Sequence, residues 1–328
     1  MTGTIGLTPK DVYREAQAAQ KRIREYVWET PLEHDLFLSR WGNCSVFLKL
    51  ENLQLTGSFK LRGAFNKLLT LGDREKDQGV VTASTGNHGT ALAYAAQQLG
   101  FQSTVVVPEN LSPAKLETLR DYGAELVFHG IDAADTESFA RHMAKKQGKT
   151  FISPYNDPMI IAGQATTGLE ILKQLKHIDA VLVPVGGGGL MAGIAGCMKN
   201  KDKKIQLIGC QPQHSPVMAE SVKAGHIVRL ESKPTLADGT AGGIEEDSIT
   251  FPFCRDYVDD FILVSEEEIK EAILIVLDKA NMLIEGAAAL PVASFIKEKK
   301  RFVHKNVVLV ISGNKIHLDT LKKILCGL

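Results

Sequence analysis

Residues 181–193 read Val-Leu-Val-Pro-Val-Gly-Gly-Gly-Gly-Leu-Met-Ala-Gly and join an apolar strand pattern to a helical pattern through four consecutive glycines. An apolar run of this length is typical of a strand buried in a parallel sheet. Glycine loses more conformational entropy on folding than any other residue. Four in a row between ordered elements are therefore costly, and they indicate a place where a backbone without side chains is needed. Successive N–H groups at a helix start can converge on one anion. We therefore expect a phosphate to bind there, although a flexible turn would fit the same residues.

Strand and helix patterns alternate along most of the chain around this glycine loop. An early helix begins at Pro9, is capped by Thr8 and is predicted to continue to about Tyr26. A long helical pattern covers residues 160–175. Such alternation predicts an α/β fold with mainly parallel sheet. Strand-like runs occur at residues 44–50, 80–82, 103–107, 125–128, 180–185 and 307–311.

The spacing of these elements predicts two domains. Compact strand and helix units fill residues 79–156, which we expect to be the core of a small inserted domain covering 56–156. Residues 1–55 and 157–328 would form the larger domain that holds a cofactor. A cleft between two such domains is a common place for a ligand.

Lys60 occupies an unusual position in the segment 55–63, which reads Leu-Thr-Gly-Ser-Phe-Lys-Leu-Arg-Gly. It opens a helical pattern after a short polar turn, and a lysine at a helix N-terminus has the wrong charge for the macrodipole. That position lowers the lysine pKa and favours the neutral amine, a nucleophile able to bond a carbonyl cofactor such as pyridoxal phosphate. Taken alone, a segment of this kind is more often explained by a solvated lysine on the protein surface than by a cofactor-binding lysine.

Two further strand ends carry polar groups. The turn 83–89 reads Ala-Ser-Thr-Gly-Asn-His-Gly and offers hydroxyls and a helix N-terminus that would suit a carboxylate, or would act as an ordinary cap. Ser312 follows the strand 307–311, at the edge of a doubly wound sheet where ligands bind. A lone serine there is usually a turn residue, so its role depends on the other segments.

The composition indicates a cytoplasmic enzyme without nucleic-acid or membrane partners. The 328 residues carry 38 basic and 38 acidic groups, so the formal net charge is zero and no basic footprint for nucleic acid exists. Apolar runs are too short to span a bilayer, and the N-terminus lacks the pattern of a signal peptide. Five cysteines without metal-type spacing predict reduced, mostly buried thiols.

Taken in order, the lysine segment, the 83–89 turn, the glycine loop and Ser312 resemble the fold-type II pyridoxal phosphate enzymes. The resemblance is to the serine/threonine dehydratase and serine racemase family in particular, and it covers about residues 20 to 325. It implies a tryptophan synthase beta-like fold with two open, twisted, mainly parallel sheets and an inserted smaller domain. It also includes the segments Ile161-Ala162-Gly163-Gln164, Leu236-Ala237-Asp238-Gly239 and Glu285-Gly286-Ala287.

The resemblance implies a role for each matching residue. Lys60 would hold pyridoxal 5'-phosphate covalently, with Phe59 packed beside its ring. Asn87 would bond the ring hydroxyl, and Ser312 would meet the pyridine nitrogen. The phosphate would lie on Gly186, Gly187, Gly188 and Gly189. The substrate carboxylate would be surrounded by Ser84, Thr85, Gly86 and His88.

The implied reaction is β-elimination of a 3-hydroxy amino acid, L-threonine and/or L-serine, to a 2-oxo acid and ammonia. The freed Lys60 amine would remove the Cα proton as general base. A neutral serine at the pyridine nitrogen leaves that nitrogen largely unprotonated, which favours loss of the β-hydroxyl over transamination.

Other activities stay open at this point. The family also suggests a lyase for 3-hydroxyaspartate or phenylserine, or a serine racemase. Racemases carry a serine on the opposite cofactor face where Thr85 stands here, and the threonine methyl restricts its rotamers, so racemization is not favoured. A further alternative is a catalytically silent nucleotide- or phosphate-binding module that uses the glycine loop alone.

The chain departs from the family pattern at several positions. Many members bind a divalent cation through an acidic residue where Gln211 stands, and the later acidic partner is Val217, so we expect no metal. The usual Ser-Gly-Gly-Asn reads Ser-Gly-Asn-Lys at 312–315, which indicates a different loop shape. The chain stops at Leu328, before the regulatory domain of biosynthetic threonine dehydratases. We therefore expect a catabolic type without feedback inhibition by isoleucine, and a homodimer or homotetramer.

Overall fold

The computed structural model describes residues 7–84, 86–109, 113–131 and 133–327. Its strands are β1 (Leu32–Asp35), β2 (Ser45–Leu50), β3 (Val80–Ala83), β4 (Ser103–Val107), β5 (Glu125–Phe128), β6 (Thr150–Phe151), β7 (Ala180–Pro184), β8 (Gln206–Pro212), β9 (Asp260–Val264) and β10 (Asn306–Ile311).

The first seven helices are α1 (Pro9–Ile23), α2 (Leu36–Gly42), α3 (Lys60–Leu68), α4 (Asp73–Gln78), α5 (Asn87–Leu99), α6 (Pro113–Asp121) and α7 (Ala133–Gln147). The others are α8 (Pro158–Gln174), α9 (Gly189–Lys201), α10 (Val217–Ala224), α11 (Thr250–Tyr257), α12 (Glu266–Ala280), α13 (Gly286–Glu298) and α14 (Leu318–Cys326). None of the helices in these described ranges is long and apolar enough to span a bilayer.

A six-stranded sheet has the strand order β1-β2-β10-β7-β8-β9. All neighbours are parallel except β1, which runs antiparallel to β2 at one edge. In the central strand β10, Leu309 faces a core shared with α12 and α13, while Val308 faces one shared with α8 and α9. The sheet is therefore covered on both faces, which explains why its central strands are apolar throughout.

A four-stranded parallel sheet, β5-β4-β3-β6, lies within residues 80–151. Helix α7 packs on one face through Ala140 and Met143, and α5 packs on the other through Ala93. The predicted α/β fold with two mainly parallel sheets is confirmed. The early helix ends at Ile23, three residues before the predicted Tyr26.

Candidate active site

The glycine loop lies between β7 and α9, at the carboxyl edge of the six-stranded sheet. A Cβ at Gly187 would lie 2.5 Å from the ring of Tyr155, and one at Gly188 would lie 2.9 Å from Cε of Met218. Gly188 also has a φ of 86°, which disfavours any other residue. The bare backbone is thus required by close packing, and the 13-residue helix α9 directs its N-terminus to the loop.

Lys60 is the first residue of α3, and the segment before it is attached to the end of β10. The Phe59 N–H donates to Ser312 O over 3.2 Å, and Ser58 pairs with Gly313. Lys60 Nζ donates to Pro154 O over 2.8 Å and lies 5.2 Å from the centre of the Phe59 ring. The structure therefore brings Lys60, Phe59 and Ser312 together.

Burial lowers the pKa of Lys60 to about 8, while the carboxylate of Glu285 opposes this shift. The predicted direction is confirmed, although desolvation is the main cause rather than the helix N-terminus. A sizeable fraction of the amine is then neutral near physiological pH, as a nucleophile or base requires.

Two buried polar atoms of predicted site residues have no hydrogen-bond partner in the part of the chain that the structure describes. Among the residues described, neither Ser312 Oγ nor Asn87 Oδ1 has a hydrogen-bond partner. Ser312 is only 2% exposed. Buried polar groups are nearly always hydrogen-bonded, so unpaired ones indicate a place for a polar ligand. This fits a cofactor that presents a ring nitrogen to Ser312.

Glu285 is a site residue that the sequence reasoning assigned no role. It is the N-cap of α13, and its carboxylate accepts from Asn87 Nδ2 at 2.9 Å to each oxygen and from the Lys315 N–H at 3.2 Å. Burial raises the pKa of Glu285 to about 7 and lowers the pKa of Lys315 to about 8. Two features of the sequence could have pointed to Glu285: the segment 285–287, which is part of the family resemblance, and Lys315, which departs from the family's usual Ser-Gly-Gly-Asn.

The turn after β3 positions the proposed carboxylate site. Gly86 precedes α5, and its N–H donates to Ser84 Oγ over 3.4 Å. His88 Nε2 lies 3.2 Å from Ile152 O, and burial lowers the pKa of this imidazole to about 3, so it is neutral at pH 7. Thr85 lies outside the described residues.

The segment after Pro154 connects these groups into one site. Pro154 accepts from Lys60, and the next residue, Tyr155, packs on the glycine loop. The Asn87 amide donates a hydrogen bond to the Glu285 carboxylate, and the charge of that carboxylate raises the proton affinity of Lys60. The site therefore contains a lysine amine, a glycine loop and a serine hydroxyl without a hydrogen-bond partner among the described residues, at the edges of two mainly parallel sheets.

An amine, a glycine loop at a helix N-terminus and a serine hydroxyl would suit the aldehyde, the phosphate and the ring nitrogen of pyridoxal phosphate. Residues 23–313 match the family model described as "Pyridoxal-phosphate dependent enzyme". The chain belongs to this family, and its cofactor is pyridoxal 5'-phosphate.

The chain is similar in sequence and structure to several named proteins. The chain is 40% identical to the L-threonine ammonia-lyase of Thermotoga maritima over 95% of this chain and 77% of that protein. It is 39% identical to the L-threonine dehydratase catabolic TdcB of Staphylococcus aureus over 93% and 89% of the two chains. The structure of maize serine racemase is similar, with a TM-score of 0.89, 31% identity and coverage of 96% and 97%.

Gln211 and Val217, where the resemblance would place acidic cation ligands, offer no carboxylate to a divalent ion. Gln211 Nε2 donates to Val185 O over 2.9 Å, and its Oε1 accepts from the Ala219 N–H over 2.8 Å. Val217 supplies no oxygen ligand from its side chain. The part of the chain that the structure describes contains no group of three His, Cys, Asp or Glu residues suited to a metal.

Proposed function

We propose that this chain is an ammonia-lyase that eliminates the β-hydroxyl of L-threonine and/or L-serine as water and releases an enamine. Hydrolysis of that enamine takes up one water and gives a 2-oxo acid and ammonia. The observation that carries the proposal is that the Lys60 amine donates to Pro154 O, next to the tyrosine packed on the glycine loop, while the Phe59 N–H beside it donates to Ser312 O. The names of the Thermotoga and Staphylococcus relatives support threonine as the substrate and a catabolic role.

In this proposal the protein groups bind, orient and move protons. Gly186, Gly187, Gly188 and Gly189 hold the phosphate, while Asn87 and Ser312 fix the ring at its hydroxyl and nitrogen, with Phe59 packed beside it. Pyridoxal phosphate, when bound, disperses negative charge that develops at the substrate Cα. Lys60 Nζ takes the Cα proton. The substrate carboxylate is held by Ser84, Thr85, Gly86 and His88.

A second candidate is a lyase for an acidic 3-hydroxy amino acid such as 3-hydroxyaspartate. Lys315 favours it, because Nζ is buried and, within the described ranges, makes no hydrogen bond. Such an ammonium could receive a second substrate carboxylate. The similarity to maize serine racemase keeps racemization as a side activity, in which Thr85 would have to exchange a proton on the second face.

The test combines cofactor binding with a substrate panel. Purified protein should show pyridoxal phosphate absorbance, which Lys60→Ala should remove together with turnover. Lys67→Ala changes another lysine on the same helix, one paired with Asp157, and should keep both. Oxo-acid formation from L- and D-serine, L-threonine, 3-hydroxyaspartate and phenylserine then ranks the substrates. Bound-cofactor absorbance that persists in Lys60→Ala would refute the assignment of Lys60.

Three further parts of the proposal concern the whole protein. We infer a small domain at 56–156, with 1–55 and 157–328 as the larger domain, and the four-stranded sheet within 80–151 supports this division. We also propose a cytoplasmic homodimer or homotetramer, on the family resemblance. Light scattering of the purified protein would give its mass, and a monomer would contradict the last proposal.

A further inference from the structure

One buried side chain connects the strand that enters the glycine loop with the helix behind that loop. This residue is Gln211, which lies on β8 next to β7 and is 1% exposed. Its Nε2 donates to the carbonyl of Val185, the residue before Gly186, over 2.9 Å. Its Oε1 accepts from the N–H of Ala219, in the first turn of α10, over 2.8 Å. The carboxamide therefore uses both its donor and its acceptor on backbone groups.

Helix α10 depends on this bond because its own cap is weak. Pro216 precedes the helix, and its side chain cannot accept from the first N–H groups, which have no partners within a helix. Gln211 supplies the missing acceptor from the neighbouring strand. The helix in turn supports the loop, since Met218 Cε would lie 2.9 Å from a Cβ at Gly188.

A second connection runs from the same region to the other side of the loop. Ser215 Oγ accepts from the Gly242 N–H over 3.2 Å and pairs with Ser232 Oγ over 2.7 Å. Gly242 is two residues after Thr240, whose Cα would lie 3.0 Å from a Cβ at Gly186. The segment that begins at Gln211 thus contacts the glycine loop directly at Gly188, through Met218, and is linked to the Thr240 contact at Gly186 through Ser215 and Gly242.

We propose that Gln211 is a positioning residue for the glycine loop, and that its carboxamide braces the loop without a cation. The inference rests on the proposed function in one respect, namely that the glycine loop binds the cofactor phosphate. A carboxylate of the same size would accept from Ala219 but would place an oxygen against the carbonyl oxygen of Val185. The amide is the only natural side chain of that shape that satisfies both groups.

The decisive variant is Gln211→Glu, compared through two ligands that differ only in the phosphate. We expect the dissociation constant of pyridoxal phosphate, measured by equilibrium dialysis with the cofactor-free full-length chain, to rise about tenfold or more. Pyridoxal, which lacks the phosphate, should keep its affinity within about twofold because Lys60 is unchanged. Treatment of the wild-type protein with EDTA should leave both constants unchanged.

A matched control is available at Gln54, another buried carboxamide that bridges backbone groups. Its Nε2 donates to Trp28 O and its Oε1 accepts from Trp28 N–H, each over 3.0 Å. Gln54→Glu should therefore reproduce any general loss of stability without the selective loss of phosphate affinity. If Gln211→Glu does not fold, Gln211→Met, which removes both bonds without adding charge, serves with the same two ligands.

The outcomes separate this inference from the proposed function. An equal loss for both ligands in Gln211→Glu, or no loss for either, overturns the role of Gln211. A wild-type affinity that falls with EDTA also overturns it, because a cation would then do the bracing. Failure of the wild-type protein to bind pyridoxal phosphate at all would instead refute the proposed function.

Discussion

Glu285, ionised above about pH 7, is a negative charge that acts on two partly buried lysines of the site. Burial lowers the pKa values of Lys60 and Lys315 to about 8, and in both cases the charge of Glu285 acts in the opposite direction. The same carboxylate holds the amide of Asn87 through two contacts of 2.9 Å. Glu285 therefore influences both the proton affinity of the proposed base and the orientation of a proposed cofactor ligand.

The rate at which the cofactor-free protein captures pyridoxal phosphate should depend on pH through Lys60. Only the neutral amine attacks the aldehyde, so the rate should rise as pH increases through about 8, whereas an ordinary lysine would require about 10.5. Glu285→Gln removes a charge that favours the ammonium form, so the midpoint should move to lower pH. Stopped-flow absorbance with a pH series measures both proteins. An upward shift in the variant would contradict this account.

The site could be predicted from sequence where residues lie in continuous motifs at strand ends. Lys60, Asn87 and Ser312 were predicted in this way. In the structure the Phe59 N–H, next to Lys60, donates to Ser312 O, and the Asn87 amide donates to Glu285. Glu285 and Tyr155 received no firm role because their importance comes from tertiary packing. Nothing in the sequence around Tyr155 shows that its ring fills the space beside Gly187.

At the scale of elements, a buried ion cluster fixes the helix that begins with Lys60. Arg62, two residues further along α3, makes two hydrogen bonds to Glu51, of 2.7 and 2.8 Å, and two to Glu170 on α8, of 2.5 and 2.8 Å. Lys49 on β2 donates to Glu170 over 2.6 Å. All four side chains are at most 5% exposed. Two carboxylates thus neutralise two cationic side chains away from solvent, and their ion pairs connect α3 with β2 and α8.

Removal of one acid from this cluster should be costly. Glu170→Gln leaves two buried cations with one anion, and breaking a buried pair in this way typically costs about 3–5 kcal/mol. The free energy of unfolding in urea, read at the bound-cofactor absorbance and at circular dichroism, measures the loss. Glu29→Gln is the matched control, because the Glu29–Lys173 pair is largely exposed. Equal midpoints for the two variants would show that the cluster does not stabilise the fold.

Element types were predicted well because hydrophobic period and capping residues are local. Thr8 caps α1 through a reciprocal bond with Asp11, as the Thr-Pro start suggested. The ends were less predictable, since Arg24, Glu25 and Tyr26 continue a helix-compatible sequence after α1 has ended at Ile23. The buried cluster around Arg62 could not be foreseen, because its members come from distant parts of the chain.

At the scale of the whole molecule, polar contacts join the unit with the four-stranded sheet to the segment that precedes α11 in the chain. Arg141 on α7 lies 2.9 Å from Glu245, whose other oxygen accepts from Asn156 Nδ2 over 2.8 Å. The Glu245 N–H donates to the hydroxyl of Tyr155 over 2.8 Å. This contact therefore joins the small-sheet unit, the ring over the glycine loop and the larger sheet unit at one point.

Loosening that contact should speed cofactor release without removing a group proposed to touch the cofactor. The Arg141 and Glu245 side chains are 40% and 19% exposed, so the pair is screened and its loss should raise the release rate about twofold to fivefold. Glu245→Gln tests this, with release followed as the decay of bound-cofactor absorbance after dilution. Added NaCl should speed release more from the wild-type protein than from the variant, because the variant lacks one ion pair that salt would screen. Asp256→Asn, which removes an exposed pair with the adjacent Arg255, should behave like the wild type. The same salt dependence in Glu245→Gln as in the wild type would show that another contact controls release.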